Sequence, residues 1–417
     1  MVMLDMPNII GGFFLFVTLF FEVFLLFTLF ENKKEIKHKP LSKATILPTA
    51  TIVVPCFNEQ ESIFATIESL LNLDYPKDKL KILIVDDGST DNSWDLVQRY
   101  KNHPQIELHQ KENGGKHTVL NYAIGKSSSE ILGCLDADSF VAPHSLKDIV
   151  AYFEDKEIMA VIPSIKVHNP DNVLRKIQKV EYDWGVFLRK MYSCLNALYV
   201  TPGPFSFFRR EVFEKIGPYR HAHNTEDMEI AMRMQNHGMK IKNCHTASVY
   251  TIAPEKIGKL IKQRLRWTYG FLRNAIDYKH VFFSLKHGNL GIFVFPILVI
   301  STVSTLWMTS AVIREIFLSI KNQIYNWGAI NFSLEAILNY HPNFEWFYIN
   351  TNPIALIIFI TFIISLSLVL IGRRLSEGKI KLSTDLIYYI VIYPFIAPIW
   401  VFRAVYNLII GKRTSWR

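Results

Sequence analysis

Cysteine is scarce. The four in this 417-residue chain, Cys56, Cys134, Cys194 and Cys244, lie far apart and form no Cys-x-x-Cys pair. That spacing suggests neither a disulfide framework nor a zinc site, and points to reduced thiols. No Gly-x-Gly-x-x-Gly follows the first apolar strand and no Walker lysine motif occurs, so dinucleotide and P-loop chemistry are disfavoured. The histidines are dispersed, and His221 and His223 have no partner at a metal-ligand spacing. There is no internal repeat and no low-complexity linker. The net charge of +9 would suit nucleic acid, but no basic–aromatic stripe supports that partner.

Apolar residues are abundant. Half of the chain (50%) is hydrophobic while 20% is charged, which predicts a soluble domain joined to membrane spans. Lysine and arginine sit largely beside the apolar runs, so their roles are topology and contact with anionic lipid or phosphate.

The run from Asn8 to Phe30 is long enough to span a bilayer. Lys33, Lys34, Lys37, Lys39 and Lys43 follow it, which puts the N-terminus outside and residue 40 onward in the cytosol. A cleaved signal peptide is not expected, because no basic region precedes the run. Glu22 lies inside this span, where a carboxylate is either functional or packed against another helix. Leu290–Ile313 and Pro353–Ile371 read as further spans, with Arg373, Arg374, Lys379 and Lys381 at a cytosolic end. Asp385–Ile410 is a fourth apolar stretch, interrupted by Pro394 and Pro398 and followed by Lys412, Arg413 and Arg417. A single crossing there would place this basic tail outside. Three explanations stay open: 385–410 is re-entrant, 331–349 hides a crossing, or the charge rule fails. The predicted division is 1–35 membrane segment, 45–285 catalytic domain, 286–411 membrane and interfacial region, and 412–417 basic tail, in a multi-pass plasma-membrane protein.

Between the first two spans, short apolar runs alternate with amphipathic ones. Strands are predicted at Thr51–Val54, Leu80–Val85, Ile106–His109 and Ile131–Leu135, and helices at Glu59–Asn72, Asp91–Asn102 and Lys116–Lys126. Alternation of this kind predicts an α/β domain with a mostly parallel, Rossmann-like sheet. Ligands in such sheets bind past the carboxyl ends of the strands. Three of those ends are polar: Phe57-Asn58-Glu59, Asp86-Asp87-Gly88-Ser89 and Asp136-Ala137-Asp138.

Asp136 and Asp138 alternate across the end of a buried strand. Two carboxylates there suit a hard divalent cation that also bridges a diphosphate. Alone, Asp-x-Asp is a weak signal; its place after Ile-Leu-Gly-Cys-Leu strengthens it. Asp86-Asp87 exceeds what a turn needs, and a carboxylate can accept the imide N–H of uracil. Lys116, at a helix start after Asn113-Gly114-Gly115, would face phosphate. Thr225-Glu226-Asp227 reads either as a helix start with acids on the positive end, or with Asp227 as general base. Gln263-x-x-Arg266-Trp267 reads either as part of an interfacial helix, or as a diphosphate and acceptor clamp.

On these motifs the chain resembles the membrane-embedded processive glycosyltransferases of family 2, which include synthases of cellulose, chitin, hyaluronan and poly-N-acetylglucosamine. The order strand-end Asp, Asp-x-Asp, Thr-Glu-Asp, Gln-x-x-Arg-Trp carries the likeness over most of residues 50–270. Gly114-Gly115-Lys116 and Leu120-Asn121 add similarity to the bacterial poly-N-acetylglucosamine and chitin-oligosaccharide synthases. The resemblance implies a GT-A fold and inverting transfer from a UDP-sugar, best guessed as UDP-N-acetylglucosamine, to make a β-linked polysaccharide coupled to export. It implies that Phe57, Glu59 and Asp87 contact uridine and that Lys116 faces the diphosphate. Asp136 and Asp138 would organise nucleotide and Mg²⁺ or Mn²⁺, and Asp227 would be the base, with Glu226 beside it. Gln263, Arg266 and Trp267 would bind pyrophosphate and a glycan or lipid-linked acceptor. Membrane lipid and an accessory membrane subunit complete the expected partners, with no nucleic acid. The segment Thr201–Phe208 falls at the acceptor-side loop but departs from the family's Phe-x-Gly wording, while Arg413-Thr414-Ser415-Trp416 is similar to a basic-Thr-x-Trp ending in relatives. Two rivals stay open: transfer of one sugar to a lipid-phosphate carrier, and a membrane nucleotide-sugar binder or transporter without catalysis.

Overall fold

The structure is a computed structural model that describes residues 6–37, 47–329 and 353–412. The 331–349 segment, Lys39, Lys43, Arg413, Arg417 and the 413–416 ending lie outside the described residues. The chain divides into two compact units, Met1–Phe24 with Ile297–Leu366, and Leu25–Pro296 with Ser367–Arg417.

The first unit is helical. It holds most of α1 (Met6–Glu31), α11 (Phe295–Ala329) and the first half of α12 (Pro353–Glu377). Each is long and apolar enough to cross a membrane. Phe14 of α1 meets Trp307 of α11 with ring centroids 5.6 Å apart. Glu22 is buried and accepts a hydrogen bond from the Ser365 hydroxyl of α12. Its surroundings are those of a helix-packed carboxylate.

The second unit is built on one eight-stranded sheet of order β3-β2-β1-β4-β7-β6-β8-β5. The strands are β1 (Ala50–Cys56), β2 (Leu80–Asp86), β3 (Ile106–Gln110), β4 (Ile131–Cys134), β5 (Ser139–Val141), β6 (Ile158–Val167), β7 (Ser206–Arg209) and β8 (Lys240–Thr251). Ile52, Val54, Ile82 and Ile84 are fully buried, as continuous apolar runs are when helices cover a sheet. Around the sheet lie α3 (Ile63–Leu71), α4 (Ser93–Val97), α5 (Lys116–Lys126), α6 (Ser145–Val150), α7 (Val173–Cys194), α8 (Arg210–Ile216), α9 (Glu226–Asn236) and α10 (Ile257–Asp277), while α2 (Lys33–Lys37) precedes β1. The predicted α5 is met at both ends. The helix predicted from Asp91 is shorter, because Asp91 spends its carboxylate on the Ser93 N–H and a 3₁₀ turn follows Val97.

The sheet is parallel through β3-β2-β1-β4, with β6 and β8 also parallel to each other. Two strands run the other way: β7, between β4 and β6, and β5 at the edge. The reversed β7 matters for the site. Its first residue, Ser206, pairs with the last of β4, Cys134. The 201–205 loop therefore reaches the same sheet edge as the ends of β1, β2 and β4.

The last apolar helix, α13 (Thr384–Ile409), belongs to this second unit. Its start is held by Arg373, which bonds to Asp385 at 2.7 Å and to Asp183 of α7 at 3.1 Å. Further along, Trp400 and Ala404 join Leu265, Tyr269 and Leu272 of α10 in one apolar cluster. Helix α13 thus lies against the sheet domain near both of its ends. The outer residues Ile387, Val391, Phe395, Tyr406 and Ile409 stay exposed.

Candidate active site

The ends of β1 and β2 are tied together by side chains. Asn58, in a left-handed conformation (φ 55), donates its N–H to Ser89 Oγ and accepts from the Thr90 N–H. Asp87 is buried and accepts from Lys111 Nζ at 2.6 Å, Gly114 N at 3.0 Å and Gly115 N at 2.8 Å. Its carboxylate therefore anchors the 111–115 loop. Gly115 (φ 87) makes a turn that suits a residue without Cβ, and α5 starts with Lys116 directly after it. Asp86 is fully buried too; its Oδ2 accepts from Ser89 N and Gln110 Nε2. Phe57 is half-buried beside this edge.

Lys116 reaches across to Asp136 and forms an ion pair with Oδ1. It also lies 4.0 Å from Glu226 Oε1. Burial works against the ammonium, but Asp136, Cys134 and Glu226 outweigh it and hold its pKa above the usual lysine value. Gly203 packs against this pair: a Cβ there would sit 3.0 Å from Asp136 Oδ2 and oblige Lys116 Nζ to move.

The Asp-x-Asp segment differs from expectation in one respect. Strand β4 stops at Cys134, so Asp136 and Asp138 stand in the turn beyond it rather than alternating within a strand. Ala137 between them is buried, and its carbonyl accepts from Thr66 Oγ1 at 2.8 Å. Asp138 is pushed well above the usual aspartate pKa by burial first, and then by the charges of Asp136 and Glu59. A divalent cation would relieve that repulsion. Among the described residues no three His, Cys, Asp or Glu side chains form a ready-made metal cluster. Two carboxylates still fit Mg²⁺ or Mn²⁺, since such an ion takes much of its coordination from substrate phosphates and water.

Glu226 and Asp227 form the first turn of α9. Thr225 is not a side-chain cap; its hydroxyl donates to the Ala222 carbonyl and accepts from Asn274 Nδ2 at 3.0 Å. Asp227 is held through its carbonyl, which accepts from Thr201 N and Oγ1 at 3.1 and 2.9 Å. Burial, and then Glu226 beside it, raise its carboxyl pKa to about 6 against the opposing charges of Lys116 and Arg266. A group tuned so is suited to take a proton near neutrality.

Helix α10 brings the last motif to this place. Arg264 is buried, grips Glu181 of α7 through two bonds of 2.9 and 2.8 Å, and lies 4.2 Å from the Trp267 ring centroid. It also donates to the Gln263 side-chain carbonyl, leaving the Gln263 amide N–H groups for a ligand. The charge of Arg266 acts on Asp227 and works against its raised pKa. The sequence did not single out Gly270 and Asn274, although they dock α10 on Thr225, two residues before Asp227. A Cβ on Gly270 would lie 2.5 Å from Thr225 Oγ1. A buried helix glycine facing a motif threonine is a signal only once the fold is known.

Comparison with known proteins fits this arrangement. Residues 51–217 match the family model described as glycosyl transferase family 2. This stretch is a family 2 glycosyltransferase domain. The chain is 31% identical over 245 residues to poly-β-1,6-N-acetyl-D-glucosamine synthase of Staphylococcus aureus, a match covering 58% of this chain and 58% of that protein. The chain thus spans under two thirds of the length of that relative. The Staphylococcus epidermidis enzyme of the same name is 26% identical over 78% of this chain and 79% of its own. Among solved structures, a mannosyltransferase of Pyrobaculum calidifontis in complex with GDP-mannose and Mn²⁺ superimposes with a TM-score of 0.57 at 17% identity, covering 96% of this chain and 99% of that one. That likeness supports the GT-A fold of the glycosyltransferase domain with its flanking apolar helices.

The tight Gly270–Thr225 contact makes a test. Alanine for glycine inside a helix ordinarily stabilises by about 1 kcal/mol. Gly270→Ala is expected to lower the melting temperature instead, because α10 must shift away from Thr225; a higher melting temperature would remove the close docking.

Proposed function

We propose that this chain transfers a sugar, best matched by N-acetylglucosamine, from a UDP-sugar to a glycan acceptor with inversion, building a β-linked polymer at the membrane. The observation that carries this reading is Asp227. It is a half-buried carboxyl with a raised pKa, held by Thr201 through its backbone carbonyl and acted on by the charges of Lys116 and Arg266. The staphylococcal relatives, named as poly-N-acetylglucosamine synthases, support the choice of sugar and product.

The chemistry follows from the residues. Phe57, Glu59 and the loop anchored by Asp87 frame the nucleotide. Lys116 and Arg266 neutralise charge that grows on the leaving diphosphate as the bond from C1 breaks. Asp227 takes the proton of the acceptor hydroxyl as its oxygen bonds to C1 from the opposite face, and UDP departs. Trp267, its indole braced by Arg264, offers an aromatic face to the acceptor ring. Asp136 and Asp138 would hold Mg²⁺ or Mn²⁺, which supplies Lewis-acid stabilisation of the diphosphate; the Mn²⁺ in the mannosyltransferase complex supports this choice.

The membrane reading goes with it. Helices α1, α11 and α12 cross the plasma membrane, the N-terminus is outside, and the catalytic domain is cytosolic. Helix α13 does not cross; it lies in the interface with its exposed apolar face toward lipid. The Arg373–Asp385 pair at its start and the Trp400 cluster near its end support this. It also reconciles the basic residues after Ile410 with a cytosolic tail.

Two measurements test these readings. Asp227→Asn is expected to cut UDP release at least a thousandfold while UDP affinity stays within threefold, and wild-type turnover is expected to fall as pH drops through about 6. Equal loss of UDP binding would make Asp227 structural. Single cysteines at Thr384 and Lys412, with the native cysteines replaced, are expected to resist an impermeant maleimide on intact cells and to react once the membrane is opened. Reaction of the Lys412 site from outside would make α13 a crossing helix.

A further inference from the structure

Arg189 stands one helical turn beyond Gly185 on α7. Its Nε and Nη2 are buried and meet no hydrogen-bond acceptor among the described residues. A guanidinium keeps its charge at any ordinary pH, and covering one without a counter-ion is costly. The other buried arginines of the domain each hold a carboxylate, although Arg233 Nε too meets no acceptor among the described residues. Arg264 holds Glu181, Arg233 holds Glu229 and Arg373 holds Asp183 and Asp385. For Arg189, burial pulls the pKa below the usual arginine value, and only the nearby phenols of Tyr182 and Tyr199 act against that. The residue as a whole is half-buried, so a ligand can approach it from one side.

Its position links both halves of the site. Tyr182 lies 5.8 Å from the Arg264 guanidinium, which in turn covers Trp267. Tyr182 is also near enough to Asp138 to feel its charge. On the other side, Tyr199 comes two residues before Thr201, whose side chain bonds to the Asp227 carbonyl. The Tyr199 ring stands 6.2 Å from Phe271 of α10. Aromatic faces with one unpaired, fork-shaped donor between them are what a neutral sugar chain needs: rings for its apolar faces, N–H groups for its oxygens. Gly185 gives the guanidinium its room, since a Cβ there would sit 3.2 Å from Arg189 Nη1.

We propose that Arg189, together with Tyr182 and Tyr199, belongs to an acceptor-binding subsite in which it donates hydrogen bonds to oxygens of a sugar unit behind the one stacked on Trp267. This deepens the transfer reading above and rests on it. The test is equilibrium binding of a β-1,6-linked N-acetylglucosamine tetrasaccharide and, separately, of UDP with Mn²⁺, to detergent-solubilised full-length protein. Arg189→Gln is expected to weaken tetrasaccharide binding about tenfold and to leave UDP affinity within twofold. Arg189→Lys should recover part of the loss. Gly185→Ala, which favours the helix but crowds Nη1, should weaken the tetrasaccharide severalfold with no loss of thermal stability. Unchanged tetrasaccharide binding in Arg189→Gln, equal loss of both ligands, or no tetrasaccharide binding by the wild type would each overturn the proposal. Wild-type protein that binds the tetrasaccharide with this Arg189 dependence but never releases UDP from a UDP-sugar would uphold the subsite and sink the transfer reading alone.

Discussion

The contact between α10 and the loop before Asp227 governs the site. Gly270 lets the helix backbone approach Thr225, and Asn274 bonds to the Thr225 hydroxyl. That one docking sets where Arg266 and Trp267 stand relative to the carboxylate. The same helix is held from behind by the Arg264–Glu181 pair and by the α13 cluster. The Lys116–Asp136 side and the Trp267 side of the site are therefore not independent. They are two faces of a helix fixed at Thr225, and a shift there moves both at once.

The electrostatics follow from that geometry. Five carboxyls, Glu59, Asp136, Asp138, Glu226 and Asp227, gather near one sheet edge. Their mutual repulsion and their burial raise Asp138 and Asp227. Lys116 offsets part of it by pairing with Asp136 and approaching Glu226. A cluster so charged is poor at stabilising the fold by itself, but it suits a polyanionic ligand that arrives with a cation. On the transfer reading proposed above, the raised Asp227 is the group that takes the proton and the paired Lys116 the one that meets phosphate.

Much of this was legible in the sequence, for identifiable reasons. Continuous buried runs such as Ile-Leu-Ile-Val and a glycine-led helix start at Lys116 leave few alternatives. The polar strand ends converge because parallel strands put their carboxyl ends on one edge. What stayed hidden depended on long-range contacts. The reversal of β7, which delivers Gly203 to the Lys116–Asp136 pair, has no local signature. The three hydrogen bonds by which Asp87 anchors the 111–115 loop could not be read from the strand-end acids alone. The packing of the fourth apolar stretch against α7 and α10 had no signal in hydropathy, because a helix lying along a domain and a helix crossing a bilayer have similar composition.

The central claim is that this edge activates a UDP-sugar. The most direct measurement is UDP release by the detergent-solubilised full-length protein across a panel of UDP-sugars, with Mg²⁺, with Mn²⁺ and with chelator. The account predicts turnover with one preferred donor, N-acetylglucosamine first, and its loss on chelation. Failure to bind UDP under any of these conditions would contradict it.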